Sequence, residues 1–153
     1  MQIRKAESEG DFLEAKKLIL EYVSSLGLDL SFQKFDDEIT RFPGEYSSPN
    51  GCILLALDND AVVGCVAMRK LSSSACEMKR LYVRPQFRRK RIGKILALAI
   101  IEQARKAHYQ KMRLDTLESM KEATTLYRSL GFNNIEPYRY NPIKNALFME
   151  LLL

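Results

Sequence analysis

The chain has 153 residues, a length typical of one domain that buries a single hydrophobic core. Hydrophobic residues make up 46% and charged residues 28%, and no apolar run is long enough to cross a bilayer, so an ordinary globular protein is expected. The net charge of +5 favours an anionic partner only weakly, because many basic proteins bind no polyanion.

The cysteines and the first residues bear on the compartment. Cys52, Cys65 and Cys76 are odd in number and widely spaced, which is neither a disulfide framework nor a zinc-binding pattern. We therefore expect reduced thiols and no metal site. The opening MQIRKAESEGDF contains no apolar signal segment, so we expect a cytoplasmic protein without a membrane partner.

In chain order, the first elements are predicted to be one strand and two helices. A short strand covers residues 1–6, and Asp11 can cap a helix that continues to about residue 25. Gly27 is a suitable helix end, and a shorter amphipathic helix is predicted over residues 31–41. The next segment, FPGEYSSPNG, is rich in turn-forming residues and predicts a loop.

The middle of the chain predicts three strands and a buried helix. Two apolar runs flank Asn59 and Asp60, which is typical of a β-hairpin. A third strand is predicted over residues 75–83, and Pro85 prevents its regular continuation. A long helix follows, from residue 91 to about 107, and it is apolar on most sides.

The last third predicts strand, helix, loop and strand. KMRLDTL is predicted to be a strand, and Ser119 with Glu122 has the spacing of a capping box that opens a helix ending near Gly131. A loop and a final strand complete the order β, α, α, β, β, β, α, β, α, β. This order predicts a mixed α/β or α+β domain with one central sheet.

The stretch VRPQFRRKRIGKIL carries six of the 24 lysines and arginines of the chain, between a predicted strand and a predicted helix. The first turn of a helix has free backbone N–H groups and the positive end of the helix dipole, which together favour a bound phosphate. Arg91 and Lys94 in that turn destabilise the helix unless an anion neutralises them. The pattern predicts a phosphate ligand and leaves open whether it belongs to nucleic acid or to a nucleotide cofactor.

The stretch LYVRPQFRRKRIGKIL resembles the acetyl-coenzyme A signature of the GNAT superfamily of N-acetyltransferases, in which a strand ending in Val-x-Pro precedes Arg/Gln-x-x-Gly-x-Gly/Ala. The later ATTLYRSLGF resembles the family's Ala-x-x-Leu-Tyr-x-x-x-Gly-Phe motif. The resemblance covers nearly the whole chain. It implies a single domain over residues 1–153, with a three-layer α/β/α arrangement and a mixed, mostly antiparallel sheet flanked by about four helices.

Two positions depart from the family pattern. Arg91 stands where the first motif glycine is expected, and we expect its backbone to keep a negative φ, with its side chain turned away from the phosphates or joining them. Met120 stands where an asparagine often precedes the alanine of the second motif, which removes one polar contact to the cofactor arm.

The resemblance implies that an acetyl group moves from acetyl-CoA to a primary amine of a small molecule or peptide, by direct attack in a ternary complex without a metal. Backbone N–H groups of residues 81–83 are expected to bind the developing oxyanion. The cofactor-binding residues implied by the motifs are Leu81, Tyr82, Val83, Arg88, Arg89, Lys90, Arg91, Ile92, Gly93, Lys94 and Tyr127.

Two residues are candidates for catalysis. Glu77 lies on the strand before the basic turn, where several family members carry a glutamate, and is the first candidate for the general base. Its alternative is a solvated strand glutamate that pairs with Lys79 or a neighbouring strand. Tyr127 matches the family tyrosine near the sulfur and can stabilise the leaving thiolate; its alternative is a core tyrosine. Weaker candidates for the base are Glu45 and Asp115, and His108 is expected only to interact with a helix end.

The acceptor site is less specified, and the resemblance places it near the first two helices and the last hairpin. The segment PYRYNP is aromatic and basic and could hold a carboxylate-bearing substrate, or it is an ordinary polar loop. A monomer or a homodimer is expected. Two other functions stay open, a non-catalytic acyl-CoA-binding module and, with less support, a nucleic-acid-binding protein. The acceptor-site candidates are Phe32, Glu45, Tyr46, Tyr138, Arg139, Tyr140 and Asn141.

Overall fold

The computed structural model describes residues 1–27 and 34–153. Short one-turn 3-10 helices at Gly44–Tyr46 and Pro85–Phe87 supplement the main elements. The strands are β1 (Gln2–Lys5), β2 (Cys52–Asp58), β3 (Ala61–Lys70), β4 (Ala75–Val83), β5 (Lys111–Leu117), β6 (Asn133–Ile135) and β7 (Ala146–Leu152). The helices are α1 (Glu9–Leu26), α2 (Phe35–Thr40), α3 (Ile92–Lys106) and α4 (Lys121–Ser129).

The predicted element order is confirmed, with one strand that the sequence pattern did not indicate. β6 has only three residues, too few for an alternating pattern to be visible, and it pairs with β7. The predicted second helix spans residues 31–41, but the described helix α2 covers only Phe35–Thr40, and the start of the prediction lies outside the described residues.

The helix caps differ in part from the prediction. Asp11 does cap α1, but as its third helical residue, because Ser8 is the N-cap and the two side chains bond reciprocally to each other's backbone. Gly27 ends α1 in the left-handed conformation, with φ 62°, as expected. The capping box predicted at Ser119 is wrong, because α4 begins one residue later with Met120 as an N-cap that makes no side-chain bond.

The strands form one sheet in the order β1-β2-β3-β4-β5-β7-β6, antiparallel throughout except between β4 and β5. Helices α1 and α2 cover one face, where Leu18 and Ile19 pack on Leu55. Helix α3 and Tyr127 of α4 cover the other face, where Leu96 and Ile100 pack on Met112. The predicted three-layer fold with a mixed, mostly antiparallel sheet and four helices is therefore confirmed.

The sheet opens between its two parallel strands. β4 and β5 are paired only where residues 75–77 meet residues 111–113, although both strands continue beyond that point. On its other side β4 carries an irregularity against β3, and Arg80 within it has a left-handed backbone with φ 60°. A cleft therefore begins immediately after Glu77, near the centre of the sheet.

All three cysteines are buried and unpaired, as expected from their spacing. Within residues 1–27 and 34–153, no helix is long and apolar enough to cross a membrane.

Candidate active site

The cleft between β4 and β5 connects the two faces of the sheet. Its walls are residues 78–81 of β4 and residues 114–117 of β5. Tyr22 of α1 lines it on one side of the sheet, and Tyr127 of α4 lines it on the other. A ligand that enters the cleft from the α3 and α4 face can therefore meet a second ligand from the α1 and α2 face.

Two backbone N–H groups of β4 face this opening. The N–H of Arg84 donates to the carbonyl of Val63 on β3 at 2.9 Å. Because N–H groups alternate in direction along a strand, the N–H groups of Val83 and Leu81 point away from β3, toward the cleft. Of these two residues, Leu81 lines the cleft, and its N–H is a fixed donor suited to a carbonyl oxygen.

The basic turn lies between the end of β4 and the start of α3, at the mouth of the cleft. Arg84 is engaged elsewhere, because its Nε and Nη2 donate to Glu21 of α1 at 2.9–3.2 Å and its Nη1 donates to the carbonyl of Val62 at 2.8 Å. The guanidinium of Arg88 lies over the ring of Tyr82 and donates to the carbonyl of Val83. Lys90 is 4.0 Å from Asp58, a long and exposed pairing.

Three cations of the turn remain available to a ligand. Arg89, Arg91 and Lys94 are exposed, and none of them forms an ion pair within the described part of the chain. The first N–H groups of α3 beside them receive no side-chain cap. This arrangement combines exposed, unpaired positive charge with a helix N-terminus that has no side-chain cap, which is suited to phosphate groups.

The expected negative φ of Arg91 is wrong. Arg91 is the N-cap of α3 with φ 62°, so it adopts the left-handed conformation that glycine occupies most easily. Gly93 retains open space, since an added Cβ would meet only the Val83 side chain, at 4.0 Å. Packing within the protein therefore does not require glycine at position 93, and the space above it is free for a ligand.

We expect Arg91→Gly to raise the free energy of unfolding by about 1 kcal/mol, because a residue with a Cβ is strained at positive φ. Lys94→Gly is the control, since it removes the same charge from a helical position with ordinary backbone and should lower the free energy by up to about 1 kcal/mol. Urea unfolding of both variants measures the difference. Equal effects of the two substitutions would contradict the strain at Arg91.

Glu77 stands at the start of the cleft and is fully buried, at 0% exposure. Its carboxylate accepts hydrogen bonds from the Tyr138 hydroxyl at 2.5 Å and from Arg69 Nε at 2.9 Å. Arg139 Nη1 lies 2.9 Å away and Lys79 Nζ 3.9 Å away. The alternative of a solvated strand glutamate is therefore wrong about solvation, although the pairing with Lys79 and with a neighbouring strand is present.

The surrounding charges determine the protonation of this cluster. Burial by itself raises the pKa of Glu77, but Lys79, Arg139 and Arg69 together outweigh burial and lower the pKa, so the carboxylate is anionic at neutral pH. For Lys79, burial and the charge of Arg80 lower the pKa to about 7. At neutral pH the cluster thus holds a carboxylate anion beside an amine whose pKa is lowered to about 7.

Ion pairs extend from Glu77 in both directions. Arg69 also binds Glu45, with Nη1 2.6 Å from the carboxylate, and Arg139 binds Asp115 at 2.7 Å. Sequence reasoning missed Arg69 altogether as a site residue. The one available signal was the charged pair Arg69–Lys70 closing an otherwise apolar strand, which is also typical of a solvated strand end.

Tyr127 is presented to the cleft by the end of α4. Gly131, with φ 102°, lets the Phe132 N–H bond to the Tyr127 carbonyl and the Gly131 N–H to the Arg128 carbonyl. This Schellman motif packs the Phe132 ring against Tyr127, with ring centroids 5.8 Å apart, and explains the Tyr-x-x-x-Gly-Phe spacing. The Tyr127 hydroxyl has no hydrogen-bond partner among the described residues, and burial raises its pKa.

The remaining candidates occupy different environments. Tyr46 is buried and lines a second cavity together with Glu45 and Arg139. Tyr140 is 75% exposed, and Asn141 donates to Asp115 at 3.2 Å. Phe32 lies outside the described residues, and His108 follows the end of α3 and lines neither cavity.

Comparison with known proteins identifies the family. Residues 18–132 match the family described as Acetyltransferase (GNAT) family. A Schizosaccharomyces pombe protein named as an uncharacterized N-acetyltransferase is 42% identical over 143 residues, covering 92% of this chain and 88% of that protein.

Solved structures share the fold. An acetyltransferase from Streptococcus agalactiae superposes with a TM-score of 0.80 and 24% identity, covering 99% of this chain and 98% of its own. A GNAT family acetyltransferase from Elizabethkingia anophelis, solved with acetyl-CoA bound, gives a TM-score of 0.67 with 21% identity and covers 99% of this chain and 97% of its own.

Proposed function

The chain belongs to the GNAT acetyltransferase family and is an N-acetyltransferase, and from that premise we propose that it transfers an acetyl group from acetyl-CoA to a primary amine of a small molecule or peptide. The observation that carries this proposal is the cleft between β4 and β5, with the unpaired edge of β4 along one wall and the basic turn after the end of that strand. We further propose that residues 1–153 act as one domain, as a monomer or homodimer in the cytoplasm.

The basic turn and the β4 edge are proposed to hold the donor. Arg89, Arg91, Lys94 and the first N–H groups of α3 suit the phosphates, and the space at Gly93 allows close approach. Acetyl-CoA supplies the acetyl group as a thioester when it is bound. The N–H groups of β4 that face the cleft can donate to its carbonyl oxygen. The other proposed contacts of the motifs are Leu81, Tyr82, Val83, Arg88, Lys90, Ile92 and Tyr127.

The acceptor must lose a proton, and holding a lysine-like amine neutral at pH 7 costs about 4–5 kcal/mol. Glu77 is the proposed residue for this task, because its carboxylate is anionic, stands at the start of the cleft and can accept a proton directly or through water. Its lowered pKa makes it a weak base. Lys79, with a pKa lowered to about 7 and a position in the cleft wall, is a second proton acceptor on the same strand.

Tyr127 is proposed to assist the leaving sulfur. A thiol has a reference pKa of about 8.5, which is below the value of about 10 for a phenol. Burial raises the pKa of the Tyr127 hydroxyl further. Complete proton transfer from the phenol is therefore uphill. The hydroxyl, which lacks a partner among the described residues, is free to donate a hydrogen bond to the sulfur and stabilise its negative charge.

The first experiment is thermal unfolding with acetyl-CoA, free CoA and adenosine 3′,5′-bisphosphate. We expect each to stabilise the fold, by about 2.7 kcal/mol at a hundred times its dissociation constant, because each carries phosphates for the basic turn. The double variant Arg89→Gln, Lys94→Gln should lose much of the effect. Lys106→Gln, at the opposite end of α3, should keep it. No stabilisation of the wild-type protein at millimolar ligand would contradict the proposed function.

An acetyl-transfer assay and a nucleic-acid binding assay test the two other functions. Binding of acetyl-CoA without transfer to any amine would indicate a non-catalytic acyl-CoA-binding module. Nucleic-acid binding would require an affinity for DNA or RNA that falls steeply with salt. The concentration of positive charge at one turn, followed by a largely apolar helix, does not favour an extended nucleic-acid surface.

A further inference from the structure

A second cavity lies on the α1 and α2 face of the sheet, beside α2 and the 3-10 helix Gly44–Tyr46. Its volume is about 730 Å³, within the usual range for small-molecule sites of roughly 300–1,000 Å³. Arg139 lines this cavity and also binds Asp115 in the wall of the cleft. The Arg139–Asp115 ion pair thus lies between the two spaces. The acceptor can reach the cleft through this cavity.

Cationic side chains outnumber acidic ones in the lining of this cavity. Four cations line it, and Glu38, one of its acidic residues, is already committed to Arg80 by two hydrogen bonds of 3.0 Å. Arg69 and Arg139 are also paired with buried carboxylates, those of Glu77 and Asp115, whereas Lys34 and Arg41 form no ion pair among the described residues. A concave surface with this excess attracts anions. The four lining cations are Lys34, Arg41, Arg69 and Arg139.

Arg69 forms ion pairs with one buried carboxylate and one exposed carboxylate. Its Nε binds the fully buried Glu77 at 2.9 Å, which holds the guanidinium in place. Its Nη1 binds Glu45 at 2.6 Å, and the Glu45 side chain is 70% exposed. An ion pair with so exposed a partner contributes little to stability, so another carboxylate can replace Glu45 at small cost.

The rest of the wall does not offer such an exchange. The carboxylates bound to Arg80 and Arg139 are 15% exposed or less, and their removal would leave buried charge uncompensated. Arg139 adds a further donor, because its Nε is buried without a partner among the described residues. The exchangeable position in this wall is therefore the outer side of Arg69.

We propose that the acceptor is an amine that also carries a carboxylate, and that this carboxylate binds Arg69 in place of Glu45. This inference rests on the proposed acetyl transfer. Arg69 is bonded to Glu77, so an acceptor held there lies with its remaining atoms beside the start of the cleft. In the absence of the acceptor, the carboxylate of Glu45 occupies the position on Arg69 that the acceptor carboxylate takes when it binds.

The test uses amines that differ by one carboxylate. The pairs are β-alanine and ethylamine, γ-aminobutyrate and propylamine, and L-phenylalanine and 2-phenylethylamine. Acetylation is followed with acetyl-CoA, and binding is followed independently by thermal unfolding in the presence of CoA. We expect the carboxylate member of at least one pair to have a kcat/KM at least tenfold higher, and to stabilise the CoA complex when its partner does not.

Glu45→Gln gives the sharper readout. It removes the competing carboxylate from Arg69, so the KM for the preferred carboxylate acceptor should fall, by up to about fivefold for an exposed ion pair. The KM for its decarboxylated partner should not fall. Glu102→Gln, which removes an exposed glutamate paired with Arg105 on α3, is the matched control and should change neither.

The outcomes are separable from those of the acetyl-CoA experiment. If acetyl-CoA stabilises the protein but neither member of any pair is preferred or bound, the carboxylate inference is wrong and the proposed function stands. A raised KM for amines in Glu45→Gln would also overturn it, since Glu45 would then bind the ammonium group of the acceptor. If acetyl-CoA does not bind, the proposed function itself is wrong.

Discussion

Glu77→Gln is expected to lower kcat by at least about a hundredfold and to destabilise the fold by about 3–5 kcal/mol. The carboxylate is fully buried among Arg69, Lys79 and Arg139, so its loss leaves those cations without their common partner. Acetylation kinetics and urea unfolding measure the two effects. Glu150→Gln is the control, because Glu150 also pairs with an arginine of a neighbouring strand, Arg113, but lies outside the cleft.

The pH dependence of stability identifies the cause. The pKa of Glu77 is lowered in the folded state, so its contribution is present above the unfolded pKa of about 4.3 and is lost as pH falls through the folded pKa. The stability difference between the wild-type protein and Glu77→Gln should therefore be full at pH 7 and shrink in acid. A difference that is constant over pH would indicate altered packing instead of lost charge.

Lys79→Met separates the two proton acceptors. If Lys79 accepts the proton, the wild-type pH profile of kcat should rise near pH 7, and this rise should be absent from the Lys79→Met variant. If Glu77 accepts it, Lys79→Met should keep the shape of the profile. If the Glu77→Gln variant folds and keeps the wild-type kcat, Glu77 does not take part in proton transfer.

Tyr127→Phe is expected to lower kcat by about a hundredfold with little change in the free energy of unfolding. The hydroxyl faces the cleft and has no hydrogen-bond partner among the described residues, so its removal breaks no contact there, while the ring keeps its packing on Phe132. The KM for acetyl-CoA should change less than kcat, because the hydrogen bond to sulfur strengthens as the thiolate forms.

Tyr109→Phe is the matched control, with the opposite pattern. The Tyr109 hydroxyl donates to the carbonyl of Asn50 at 2.7 Å, outside the cleft, so its loss should destabilise the protein by about 1 kcal/mol and leave kcat unaffected. If Tyr127→Phe retained full kcat, Tyr127 would be a core tyrosine and the sulfur would require another donor.

Much of the fold follows from local patterns that are visible in the sequence. β4 and β5 were predicted at their observed bounds, because turn and helix residues on either side of a strand, such as Ser72–Ser74 and Pro85 around β4, limit it locally. The Leu-Tyr-x-x-x-Gly-Phe segment predicted the helix end at Gly131, since the Schellman motif needs only residues within one turn. The basic turn was likewise recognisable, because its charge, proline and flanking elements are consecutive.

The tertiary structure decided the environment of Glu77 and the backbone of Arg91. The partners of Glu77 come from β3, from β4 and from a loop 61 and 62 residues away, and no pattern along the chain shows which of many arginines will reach one carboxylate. Burial then sets the pKa values, which a sequence does not contain. By itself the sequence determined most of the elements and the basic turn, because these depend on neighbouring residues. The folded sheet alone decided the charge cluster and the cleft, because these depend on strands that meet only after folding.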